Sequence, residues 1–549
     1  MIDGDAVVRA IVTRGAEAES EWFVPLGNET ASACYQSQAF LDRRADIVAC
    51  LPAFDRAVSE GMVPNARVIM ARAWVQLLAM TIDDAAATIL EVEACLRNVD
   101  PQDGVELAAE FAVLQGVLLV LRDDYYAALP IGLAALSQGA TALVSFVAGM
   151  LCRLAFWKMG DFSRFHASRQ ALWDQQGRRD TCLFAFDRAV EAAVEVQHLR
   201  FGLAGKLARQ ALKLATRKGG RASSSVLLPA ALLAQLRYEE GDLAEAEELL
   251  RDLLPLVRTH GSIESAIRIY PLLARIAAHR SQGDFAMLLL REGELLGERR
   301  GWSRLAAECS RERVDLYVRS GRIDDAARCL ERMRAIPLAA TASDYARRAI
   351  QGCLALASAR IVLARQPCVQ IVARLRDLHR DATARGDLYL ALFLAIRLAE
   401  ASRAVGEEDE AVEILIRSLE IGASVGLHQL FLDGGKPIAD LLVLAFERLA
   451  GEKRDRRHLL PYVATLLDGG GAASQGIGLS RSTKVAGCLS SRECGILELI
   501  RRGNSNKRIA QSLGIAPETV KSHVKNIFLK LGVQSRVEAV SRAHSLGFI

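Results

Sequence analysis

Seven polar side chains near the C-terminus have types and spacing suited to holding nucleic acid. Val520, Val524, Ile527 and Leu531 recur at four-, three- and four-residue steps, the apolar stripe of one helix. With that stripe turned inward, Lys521, Ser522 and Lys525 point outward. Lysine donates to guanine O6 and N7 or to phosphate, so these three are the candidate base-readers. Asn506, Lys507, Thr519 and Asn526 are spaced more like clamps on the sugar-phosphate backbone, which fix register without reading sequence. His523 lies at the border of stripe and surface and is read as structural.

Other chemistries find no constellation here. The sequence contains no H-E-x-x-H and no G-x-x-x-x-G-K-[ST]. The Gly-Lys pairs at Gly205-Lys206 and Gly435-Lys436 are followed by Leu207 and Pro437, which supply no Mg²⁺-binding hydroxyl. Nine histidines are dispersed without ligand spacing. The expectation is no catalysis, no metal and no cofactor.

The elements that must present those seven residues are short helices. Ser490 stands three residues before Glu493, a capping box ahead of apolar Ile496, Leu497 and Ile500. Gly503 stops that helix, Asn504-Ser505-Asn506 offers a new N-cap, and Ile509, Ala510 and Leu513 form a second inner face. Gly514 breaks it, and Pro517 falls near the first turn of the third helix, where a missing N–H costs nothing. Gly532 ends that one, and a fourth runs from about Ser535 to Leu546. Two short helices around a tight Gly turn are a helix-turn-helix pattern. Residues 488–549 carry ten Lys/Arg against four Glu, a charge of +6, while the chain totals +4. A basic module thus sits on a body of charge −2, which points to nucleic acid.

The body is a repeat. Gly-Asp followed by apolar residues recurs at Gly160-Asp161, Gly241-Asp242 and Gly283-Asp284, more loosely at Gly321 and Gly406, and weakly near Met80, Asp123 and Gly202. The period is roughly forty residues, with one degenerate copy near Gln366-Pro367. Glycine ends a helix in the left-handed conformation and Asp caps the next. Residues 61–467 are therefore read as a right-handed tetratricopeptide-like α-solenoid, and 468–487, rich in Gly, Ser and Ala, as a flexible linker. The fold class is all-α, in keeping with 51% hydrophobic residues, 6% aromatics and only 13 prolines. Lys206, Arg209, Lys213 and Arg217 lie on one helix face and are read first as solvated. The uncharged stretch from Tyr125 to Cys152 is interrupted by Ser137-Gln138-Gly139-Ala140-Thr141 and reads as two buried helices, not a membrane span. Eleven cysteines without a C-x-x-C read as reduced thiols of a cytoplasmic protein. No signal peptide is expected, since Asp3, Asp5 and Glu17 replace a basic-then-apolar start.

Residues 488–549 closely resemble the LuxR-type DNA-binding domain. The resemblance rests on Ser505-Asn506-Lys507-Arg508-Ile509-Ala510, on Thr519 through Ile527, and on Lys530-Leu531-Gly532-Val533. It implies that the third helix enters the major groove and that the fourth dimerises, so that Val537, Val540 and Ser541 face a partner subunit. Residues from about 80 to 467 are similar to MalT-like regulators, with Gly426-Leu427 and Phe431 through Pro437 resembling the end of their repeat domain. Such regulators begin with a nucleotide-binding domain, whose phosphate loop is missing here. Residues 1–60 are taken as a remnant of a winged-helix region.

Together these readings describe a sequence-specific DNA-binding transcription regulator. It acts as a homodimer on double-stranded DNA, with helical repeats that sense an effector or bind a protein, and with RNA polymerase as a further candidate partner. The competing reading is a helical-repeat scaffold or adaptor whose terminal module serves assembly.

Overall fold

The computed structural model describes residues 66–97, 101–137, 142–173, 182–219, 224–336, 343–451, 456–469 and 491–513, and most of those between 520 and 540. Residues 1–60 and the linker from 470 to 487 lie outside the described residues. Among the described residues there is no strand. The chain divides into two compact units, 1–391 and 392–549.

Among the described residues, ten helix pairs follow one another in sequence: Ala66–Ala79 with Ile82–Leu96, Pro101–Leu121 with Tyr125–Ser137, Ala142–Met159 with Phe162–Trp173, Cys182–Gln197 with Phe201–Gly219, Leu227–Glu239 with Leu243–Leu250, Ile263–His279 with Gly283–Arg300, Ser303–Arg319 with Ile323–Arg334, Asp344–Arg365 with Val369–Ala384, Leu388–Ala404 with Glu408–Val425, and Lys436–Gly451 with Leu460–Gly469. The last helix ends two residues beyond the expected boundary at 467. The uncharged stretch is two helices, as its composition predicts. No helix among the described residues is long and apolar enough to cross a membrane.

The repeat is written in its turns. At Met80, Asp123, Gly160, Leu199, Gly241, Ser281, Gly321 and Gly406 the backbone enters the left-handed region, with φ from 58° to 91°. The next amide then donates to the carbonyl five residues back, as in Gly241's turn, where the Asp242 N–H meets Arg237 O at 2.9 Å. This closes the orphan carbonyls at a helix end. Asp161 and Asp242 cap the following helices, their side chains accepting from the amides of Arg164 (3.0 Å) and Glu245 (2.9 Å). Two of the expected copies are offset. Gly283 is the first residue of its helix and Gly202 lies inside another; Ser281 and Leu199 hold the left-handed position instead. A non-glycine residue bears a cost there, and the glycine nearby does not relieve it.

Alanine and leucine fill the seams between pairs. Ala230, Ala231, Ala234, Leu250, Ile269, Ala286 and Leu290, for example, belong to one buried cluster. Within the first unit the packing also goes beyond sequence neighbours. Trp302 is fully buried and its indole N–H donates to Leu121 O at 2.7 Å. Arg304 binds both oxygens of Asp123 at 2.8 Å and Glu264 at 2.7 Å. Glu264 also takes Lys158 at 2.8 Å. All four charged groups are buried. Burial disfavours each charge, and mutual pairing offsets that. The cluster ties the second and third helix pairs to the sixth and seventh.

Candidate nucleic-acid interface

The C-terminal module is built from helices Ser491–Arg501 and Asn506–Leu513, with helical backbone again at 520–528 and 536–540 where it is described. Gly503 adopts φ +75°, and the Asn504 N–H donates to Leu499 O at 3.1 Å, so the first helix ends in the same kind of turn as the repeats. Ser505 starts the second helix; its hydroxyl accepts from the Arg508 amide at 3.4 Å. Ile496, Leu497, Ile500, Ile509, Ala510, Val520, Val524, Ile527 and Ala539 form one buried core. Every member of the sequence-derived stripe that is described thus points inward; Leu531 lies outside the described residues.

That core orients the surface. Lys521 and Lys525 are exposed on the side away from Val520, Val524 and Ile527, and Lys507 and Arg508 are exposed on the second helix. His523 is half-buried between the two faces. Ser522, Thr519, Asn526, Val537 and Ser541 lie outside the described residues. Val540 is half-buried and packs against the module's own core. Arg501 and Arg502 both hold Glu498, at 2.7 Å and 3.0 Å, and hydrogen bonds from Arg501 first, then Arg502, bring its carboxyl down to about 2. Those two arginines are engaged locally with Glu498.

Sequence reasoning counted Arg536 only as charge, yet it joins the elements. Its guanidinium donates to Asn504 O at 3.0 Å and to Asn506 Oδ1. This pins the start of the fourth helix, capped by Ser535 through the Glu538 amide (3.2 Å), onto the turn that opens the second. Asn506 is therefore half-buried and fixed: its oxygen is taken by Arg536, so its NH₂ end is the donor it can turn to a phosphate. No spacing rule marks such a residue, because the contact spans 30 positions.

Comparison with known proteins agrees with this geometry. The model for the MalT-like TPR region matches residues 146–448, more than half of the chain. The chain belongs to the MalT-like TPR family. The model for bacterial regulatory proteins of the luxR family matches residues 488–543 of this MalT-like chain, so its terminal module is a LuxR-type helix-turn-helix. The HTH-type transcriptional regulators MalT of Yersinia pestis (strain Pestoides F) and Serratia proteamaculans (strain 568) are each 47% identical to it over 58 residues. That match covers 11% of this chain and 6% of each relative. A solved structure, a Rap protein complexed with Competence and Sporulation Factor, aligns with TM-score 0.46 at 15% identity, covering 66% of this chain and 98% of that one.

Proposed function

We propose that this MalT-like chain is a sequence-specific regulator of transcription that binds double-stranded DNA as a homodimer. One observation carries the reading: Lys521 and Lys525 are exposed one turn apart on a helix whose opposite face is locked into the module's core. Such a helix presents donors at a fixed angle, which groove recognition requires. Lys521, Ser522 and Lys525 read base edges; Asn506, Lys507, Thr519 and Asn526 hold the backbone; Val537, Val540 and Ser541 face the second copy. The helical repeats sense an effector or bind a partner protein, the site of action is the cytoplasm, and RNA polymerase is the partner through which regulation is transmitted.

Selection of bound sequences from a random duplex pool with the purified full chain tests this. The expected outcome is an inverted repeat with half-sites about one helical turn apart. A pool that stays unenriched through successive rounds would overturn the reading.

A further inference from the structure

The first six helix pairs each contribute side chains to one cavity of about 270 Å³. Its wall is mostly apolar: Trp74, Val117, Val147, Leu154, Phe186 and Leu228 face it, one or two from each of the first five pairs, with Ser224, Ser225, His260 and Ser262 also on the lining. From the sixth pair comes Glu264, and beside it the Tyr125 ring, whose hydroxyl lies 3.5 Å from the Glu264 carboxylate. A cavity of this size and composition, retained where six helix pairs converge, fits the general form of a small-molecule site: concave, mostly apolar, with few polar groups to orient the occupant.

The polar end defines the chemistry. Glu264 lines the cavity, whereas Lys158, Arg268 and Arg304, which neutralise it from behind, do not. Burial alone would raise its carboxyl, but Lys158, Arg304 and Arg268 hold it well below the usual carboxylate range. The group presented to the cavity is therefore an ionised acceptor. An anion entering would meet that carboxylate directly. A cation would join Lys158, Arg268 and Arg304, which already outnumber Glu264 and Asp123. Either charge would also be buried among apolar side chains, at high cost. An uncharged donor suffers neither penalty; Oε1 already takes Lys158 and Arg304, while Oε2 is met by Arg268 at 3.1 Å and has a second lone pair for a further donor. An apolar cavity of about 150 Å³ accommodates benzene; scaled by volume, this one takes roughly eleven non-hydrogen atoms.

We propose that this cavity binds an uncharged, largely apolar small molecule, of bicyclic-aromatic size, that donates one hydroxyl or N–H hydrogen bond to Glu264. Calling that molecule the effector rests on the reading of the repeats as the sensing part of a regulator; the binding site itself does not.

The probes are 1-naphthol, naphthalene and 1-naphthoate, titrated calorimetrically into the full chain near neutral pH. Expected are one saturable 1-naphthol site per chain, naphthalene several-fold weaker, and 1-naphthoate at least ten-fold weaker. V117F and V147F each fill the cavity and should weaken 1-naphthol at least ten-fold, with circular dichroism reporting that they are folded. The order of the three probes on the unmodified chain needs no variant, so the proposal stays testable even where a filled variant misfolds. No saturable 1-naphthol binding, 1-naphthoate binding as tightly as 1-naphthol, or folded filled variants that bind unchanged would each overturn it. Operator affinity measured with saturating 1-naphthol reads the sensing function separately: unchanged affinity leaves the site standing and counts against the sensing role alone.

Discussion

Replacing Lys521 and Lys525 by alanine separates base reading from mere attraction to DNA. Both side chains are exposed, so the substitutions should alter stability by no more than about 0.5 kcal/mol. Four residues of helix advance about 6 Å, and a base pair advances about 3.4 Å, so the two ammonium groups cover neighbouring base steps. A good base contact is worth about 1–3 kcal/mol of discrimination. The double variant should therefore lose about 2–6 kcal/mol toward its selected operator, or roughly 30-fold to 10⁴-fold in affinity. A lysine that touches only phosphate acts differently. Its loss weakens every duplex alike and makes the salt dependence shallower by about 0.9 per contact. Fluorescence anisotropy with the operator and a scrambled duplex, from about 50 to about 200 mM salt, distinguishes the two. The base-reading role requires the operator-to-scrambled ratio to collapse. If the ratio holds while both affinities fall, the lysines are backbone contacts. If neither affinity nor slope changes, this helix does not meet DNA and the major-groove reading is wrong.

Arg536→Ala removes the two bonds to Asn504 and Asn506. A hydrogen bond from a charged donor contributes about 1.5–3 kcal/mol, so losing the two should accelerate amide exchange in residues 491–513 by at least roughly 10- to 150-fold, the effect of one, by local opening; unchanged protection would show that the clamp contributes nothing. Glu264→Gln leaves Lys158 and Arg304 buried without their carboxylate and should destabilise the first unit by about 3–5 kcal/mol at neutral pH. The Glu264 carboxyl is lowered in the fold, so its contribution is complete above the ordinary carboxylate pKa of about 4.5 and disappears as pH falls through the lower folded value. The stability gap between parent and variant, measured by urea titration, should therefore narrow as pH falls through that value; burial brings the Lys158 ammonium down to about 7, so the part of the gap that rests on its charge also fades as pH rises through neutrality, and a gap independent of pH would contradict the assignment. Ser281→Gly should raise stability by about 0.5–1 kcal/mol, because an exposed serine at φ 61° gives way to the residue that adopts it freely; a lowered melting temperature would refute the turn argument.

The parts of the fold legible in the sequence are those with a local physical cause. A helix ending in a left-handed residue favours glycine, so Gly160, Gly241, Gly321 and Gly406 announce their turns. Where Leu199 and Ser281 accept the strain instead, the pattern still shows a period but misplaces the turn by two or three residues. The module was legible because its core is short-range: Ile496, Leu497, Ile500, Val520, Val524 and Ile527 read as stripes and are buried. Periodicity says which face of a helix is buried but not what lies against it. Arg536 on Asn504, Arg304 on Asp123 and Trp302 on Leu121 therefore left no trace in spacing. The cavity left none either, since its walls come from six helix pairs that are each unremarkable alone.

Those non-local contacts change what the repeat body can do. In an array whose repeats touch only their neighbours, stability is close to a sum of local terms, and each repeat can open by itself. Here Asp123, Lys158, Glu264 and Arg304 form one buried cluster across helix pairs two, three, six and seven. Separating any pair from the others would strand a charge in an apolar interior, which costs more than the local contacts of one repeat return. Those four helix pairs are thereby coupled. Such coupling suits the proposed sensing role, because a ligand shifts an equilibrium only through differential affinity for the states it joins. Glu264 lines the cavity and belongs to the cluster, and Tyr125, also on the lining, places its hydroxyl 3.5 Å from it. On the proposal above, a molecule seated there would bear directly on Glu264, which holds distant repeats together, so occupancy and the arrangement of those repeats would be set by the same few side chains.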